Sequence, residues 1–114
     1  MIKIYNLRFS KPKYKWEFKV DRSSPLGNPY NMIREIDRDI VCDKYKDWFY
    51  NTDHNEDFFI YLKELSTTYK KYKKLHLFCW CYPLRCHAEI IKEYLETIKE
   101  YLENDKISIR ENNG

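Results

Sequence analysis

The sequence predicts a small mixed α/β domain: about three strands and three helices in the order β-β-α-α-β-α. Three observations carry that prediction. Tyr14, Trp16, Phe18 and Val20 alternate with polar residues, the period of a half-buried strand. Two later stretches place their apolar residues three and four apart, as amphipathic helices do. The short run Leu75-His76-Leu77-Phe78-Cys79-Trp80-Cys81 is apolar on both faces, which suits a central strand.

Taken in order, Ile2, Ile4 and Leu7 to Phe9 predict the first strand. Ser10-Lys11-Pro12-Lys13 breaks it before the alternating run 14–20, and the two strands are expected to form a hairpin. A loop over 21–31 follows. Ile33, Ile36, Ile40, Val41, Tyr45, Trp48 and Phe49 then predict a helix over 32–50. Asn51 to Glu56 interrupts it, with Asp53 or Asn55 as the next N-cap. Phe58, Tyr61, Leu62, Leu65 and Tyr69 mark a second helix ending near Tyr72. After the strand at 75–81, Ile91, Tyr94, Leu95, Ile98 and Leu102 give a last helix from about Cys86 to Leu102. Residues 1–103 read as one α/β domain and 104–114 as a polar C-terminal tail.

Composition narrows the function. With 43% hydrophobic and 34% charged residues, the chain has the make-up of a folded protein. It has no apolar run near the roughly 18–20 residues that cross a bilayer, so no membrane partner is expected. The opening Met1-Ile2-Lys3-Ile4-Tyr5 does not resemble a signal peptide, and a cytoplasmic location is expected. There the four cysteines read as thiols, metal ligands or small core residues rather than a disulfide framework. The net charge of +3 says little, because one alanine and many Lys, Tyr, Ile and Asn indicate an AT-rich coding sequence. The six arginines say more, since arginine grips phosphate and carboxylate with two parallel bonds. The basic run Lys70-Lys71-Tyr72-Lys73-Lys74 sits at a helix C-terminus, where the dipole favours cations, and this disfavours nucleic acid as a partner. No nucleotide-binding glycine motif or HExxH is present.

The segment Cys79-Trp80-Cys81-Tyr82-Pro83-Leu84-Arg85-Cys86-His87 is the most distinctive, holding three of the four cysteines. Cys79 and Cys81 share one face of a strand, and a turn returns Cys86 and His87 to them. Those four would suit tetrahedral zinc, although adjacent ligands on a helix diverge by about 100°. The alternative is that Cys79 and Cys81 are core side chains. Cys86 and His87 open a helix beside Arg85, a setting that holds an anion or lowers a thiol pKa.

Ser24-Pro25-Leu26-Gly27-Asn28-Pro29-Tyr30 fixes an irregular path, with Gly27 expected to supply a φ that other residues avoid. Asn28 offers both a donor and an acceptor. If strand 75–81 is central, its C-terminal end carries the Cys/His box, where α/β sheets bind ligands. The loop would then gather Arg8, Arg22, Asn28, Arg34, Arg85, Cys86 and His87 around one pocket.

These residues also carry a resemblance. Asn6-Leu7-Arg8, the loop Ser24 to Pro29, Tyr45 with Trp48, and the box Cys79 to His87 resemble a domain-of-unknown-function family of bacteria and their phages. The likeness spans about residues 5–102. Members often carry Gly-Arg before the loop, where this chain has Asp21-Arg22. The resemblance implies a small α/β domain and a bacterial or phage setting, and brings no established activity.

Three readings follow. The first is a pocket for a phosphate-bearing small molecule such as a nucleotide or nucleotide sugar. Binding alone and hydrolysis both fit, with Asp21 and His87 as candidate bases. The second is a zinc-stabilised interaction module on Cys79, Cys81, Cys86 and His87, binding protein or nucleic acid. The third is a thiol enzyme acting through Cys86.

Overall fold

Both outer strands of the sheet pair with the last one. The computed structural model describes residues 1–98. Among them β1 (Ile2–Asn6), β2 (Glu17–Lys19) and β3 (Leu75–Cys79) lie in the order β1-β3-β2. β3 takes the centre because Leu75, Leu77, Phe78 and Cys79 are all buried, so both its faces need cover. Ile4 and Phe18 flank Leu77 on either side, and both pairings are parallel.

The expected hairpin is therefore not formed. Hairpin strands are antiparallel neighbours, whereas β1 and β2 run the same way on opposite sides of β3. Phe9 and Ser10 donate to the Asn6 carbonyl at 3.0 and 3.2 Å, turning the chain away as β1 ends. β2 is also shorter than the alternating run suggested. The Glu17 carboxylate accepts from the Lys13 and Tyr14 amides at 2.8 and 3.1 Å, curling the chain where a strand would be extended. Tyr14 and Trp16 stack on each other instead, and Lys74 Nζ lies 3.8 Å from the Trp16 ring centre.

The first helix also starts late. A 3-10 turn (Glu35–Asp37) leads into α1 (Arg38–Asn51). Arg34 has extended backbone, so no helix passes through it, and Ile33 and Ile36 stand 90% and 79% exposed. The stripe facing the core is Val41, Cys42, Tyr45 and Phe49. α2 (Glu56–Tyr72) is capped by Asn55, whose side chain accepts from the Phe58 amide at 3.0 Å. It buries Phe58, Leu62, Leu65 and Tyr69. The described part of α3 covers 88–98 and buries Ala88, Ile91 and Leu95. The expected helix end at Leu102, the domain boundary at 103 and the tail 104–114 lie outside the described residues. One core joins the three helices to β1 and β3. No helix among the described residues is long and apolar enough to cross a membrane.

α2 ends at Lys73, held in the left-handed region at φ 58°. An L side chain there costs roughly 1 kcal/mol, which glycine avoids at some loss to unfolded-chain entropy. Lys73→Gly is thus expected to stabilise the protein by about 0.5–1 kcal/mol. Thermal denaturation checks it, since that gain raises Tm by a few degrees.

Candidate functional site

A cleft of about 260 Å³ opens where β2 and β3 end, between the loop after β2, the Cys/His box and the first turns of α1. The C-terminal ends of parallel strands leave such crevices because the chain departs from them in different directions. Here the 21–31 loop leaves β2, the 80–87 turn leaves β3, and α1 crosses beside both.

The loop is built from short hydrogen bonds. Ser24 and Gly27 amides donate to the Asp21 and Ser24 carbonyls at 3.0 and 3.1 Å, making two turns in series. Val20 and Leu26 bury completely at its base. Gly27 does not have positive φ, so it does not serve the role expected of it. Its need is space: a Cβ there would lie 2.5 Å from both Arg22 Cα and the Asp21 carbonyl oxygen. The Asn28 Oδ1 accepts from the Tyr30 amide at 2.9 Å, and its Nδ2 has no partner among the described residues. Arg22 closes the loop, donating to the Tyr30 carbonyl at 2.7 Å and to Asn31 Oδ1.

Three ties bring the distant segments together. Asn6 Nδ2 donates to the Tyr82 and Trp80 carbonyls at 2.7 and 3.3 Å, fastening the end of β1 to the box. Trp80 Nε1 donates to Asp21 Oδ2 at 3.0 Å, fastening the box to the loop. Tyr45 donates its hydroxyl to the Leu26 carbonyl at 2.7 Å, fastening the loop to α1. The Tyr82-Pro83 peptide within the box turn is cis.

Of the predicted ligand-binding residues, Arg22, Asn28, Arg85, Cys86 and His87 line the cleft. Arg8 and Arg34 are not among the lining residues. Arg8 is exposed with its guanidinium 5.8 Å from the Phe9 ring, and Arg34 is 73% exposed and paired with Asp37 at 3.3 Å. Sequence reasoning missed Arg38, Tyr30 and Trp80, which also line the cleft. Arg38 was legible in principle, because it heads the stripe that continues through Cys42, Tyr45 and Phe49 at helical spacing. Its guanidinium donates to Glu35 at 2.7 and 3.0 Å and to the Arg85 carbonyl at 2.9 Å. Arg85 in turn pairs with Asp39 and Asp43, each at 2.9 Å.

The candidate bases are both engaged. Burial pushes the Asp21 carboxyl up, but hydrogen bonds from Ser23 and Trp80 outweigh it and hold the pKa below the usual carboxylate value. His87 is buried, which lowers its pKa and keeps the ring neutral. Its Nε2 meets the Val20 carbonyl oxygen, so the proton sits on Nε2 and leaves Nδ1 bare, 3.5 Å from Cys86 Sγ.

The thiols behave unequally. All four are free, and Cys42, Cys79 and Cys86 are buried while Cys81 is half-buried in the cleft wall. The Cys86 thiol hydrogen-bonds both Cys79 and Cys81, which holds its own proton on and raises its pKa. Cys81 is drawn down to about 6 by that Cys86 bond and by the Arg38 guanidinium, against the opposing effect of burial. Cys86 pulls Cys79 down as well. Yet one S–H proton serves one acceptor at a time, and Cys81 has the cation beside it and the open face. The surroundings of Cys81 thus favour the thiolate, and those of Cys86 favour the protonated thiol. Among the described residues no three His, Cys, Asp or Glu side chains are grouped to hold a metal ion.

Nothing among curated proteins or solved structures matches this chain. Over residues 6–97, which include every one of the ties and all the lining residues of the cleft, it matches the family described as Domain of unknown function (DUF4326), and the chain belongs to that family.

Proposed function

We propose that the cleft binds a phosphate-bearing small molecule, a nucleotide or nucleotide sugar, in bacteria or their phages. The observation that supports this best is the convergence of Arg22, Arg38 and Arg85 with Tyr30 and Trp80 in one cleft. Guanidinium groups suit phosphate oxygens, and the aromatic rings offer a flat apolar wall to a base or sugar. The cleft volume stands near the small end of ligand sites, which fits a compact molecule.

The present partners of these arginines do not block such a ligand. Asp39 and Asp43 are 80% and 70% exposed, and Glu35 is 65% exposed. Water screens such exposed carboxylates, so a phosphate dianion displaces them readily. Binding is favoured over hydrolysis because Asp21 already spends its carboxylate on Ser23 and Trp80, and the one bare nitrogen of His87 faces the Cys86 thiol. The zinc-stabilised module has no grouped ligand set behind it among the described residues.

Native mass spectrometry of unchelated protein, followed by calorimetric titration with mononucleotides and nucleotide sugars, tests this reading. One class is expected to bind stoichiometrically, and Arg85→Ala should weaken it at least about tenfold, the worth of a charged hydrogen bond. A protein that carries one zinc and ignores every phosphate compound would replace this reading with the interaction module.

A further inference from the structure

We propose that Cys81 and Cys86 form a redox-active dithiol in the cleft wall, Cys81 reacting first with low-molecular-weight disulfides and Cys86 resolving the product. The inference rests on the thiols alone and needs no ligand in the cleft.

Geometry singles out the pair. Cys81 is the one thiol that is not buried, and it lines the cleft. Arg38 lines the same cleft as Cys81, and a cation beside a thiol favours attack as the thiolate. Cys86 lines the same cleft, with its Sγ 3.5 Å from His87 Nδ1. The turn between them is closed by the Leu84 amide donating to the Cys81 carbonyl at 2.9 Å, so no long loop has to fold to bring the two thiols together. Cys42 also lines the cleft, but it is buried and directs its thiol to the Arg85 carbonyl at 3.7 Å.

The chemistry balances in two exchanges. The Cys81 thiolate attacks one sulfur of a small disulfide RSSR, breaking its S–S bond, forming a mixed disulfide and expelling RS⁻. The Cys86 sulfur then attacks Cys81 Sγ, breaking the mixed disulfide and expelling the second RS⁻. The Cys86 proton leaves toward His87 Nδ1, 3.5 Å away, and on to the departing thiolate. The Cys81 proton went to solvent when that thiolate formed and is taken up by the first RS⁻. Two protein thiols are oxidised, and one RSSR is reduced to two RSH.

The test begins with reduced wild-type protein and a brief, sub-stoichiometric pulse of iodoacetamide at pH 7. Fragmentation mass spectrometry separates Cys79 from Cys81. Label on Cys81 is expected to exceed that on each of the other three cysteines at least tenfold, and this preference should vanish in urea. Oxidised glutathione is then expected to yield a Cys81–Cys86 disulfide in the wild type and a persistent glutathione adduct on Cys81 in Cys86→Ser. Label led by Cys42, Cys79 or Cys86 would overturn the proposal, as would a disulfide joining any other pair. So would a glutathione adduct that persists on wild-type Cys81. The wild-type measurements decide the question even if the variant fails to fold.

Discussion

Gly27→Ala is expected to destabilise the protein by about 2–3 kcal/mol, the cost of forcing atoms into a site with no room. The added methyl would meet backbone at 2.5 Å on two sides, the Arg22 Cα and the Asp21 carbonyl. Backbone gives way less easily than the tip of a side chain, so the strain moves the whole loop. Urea denaturation followed by circular dichroism measures the loss, and Tm should fall by on the order of 10 °C or more. Because the same shift displaces Arg22 and its bond to the Tyr30 carbonyl, ligand affinity should fall along with stability. An unchanged denaturation midpoint would mean that the close approach of Gly27 to residues 21 and 22 does not hold in solution.

Tyr45 carries the second large effect. It is fully buried, packs its ring against Trp48, Phe49 and His87, and donates its hydroxyl to Leu26 in the loop. Tyr45→Ala should lose about 3–5 kcal/mol, as expected for deleting a buried aromatic ring. Tyr45→Phe keeps the ring and orphans the Leu26 carbonyl, and should lose about 1–3 kcal/mol. The difference between the two variants separates packing from the hydrogen bond. A Phe variant as stable as wild type would show that water reaches the Leu26 carbonyl and takes the place of the hydroxyl.

These two residues explain why some of the site was legible in the sequence. Rare local chemistry marks itself: the Pro-Leu-Gly-Asn-Pro loop and the Cys/His box stand out by residue type, and both line the cleft. Centrality of β3 was equally legible, since a run apolar on both faces has to be covered twice. Strand pairing was not. The alternation in Tyr14 to Val20 reports which side chains face one way and says nothing about which strand lies beside them. The start of α1 was obscured for a related reason: Ile33 and Ile36 keep the helical spacing but sit before the helix, in solvent. Arg34 was drawn into the expected pocket with them, while Arg38, one helical turn later, lies in the cleft wall. The role of Asn-Leu-Arg was misplaced by two residues. Asn6 makes the tie to the box, and Arg8 stays outside.

The strand order has a consequence for how the chain is made. Among the described residues β1 and β2 pair with β3 alone, so neither pairing can form until Leu75–Cys79 has been synthesised and has left the ribosome. Up to that moment the nascent chain holds two unpartnered strand segments and two helices whose apolar stripes have no sheet to cover. Contacts this distant in sequence close slowly, because the loop entropy is lost before the pairing compensates it. β3 therefore arrives as the wedge that completes the sheet from the middle. A ribosome-stalled chain truncated before Leu75 should remain sensitive to protease, and one extended far enough to expose residue 98 should become resistant in a single step.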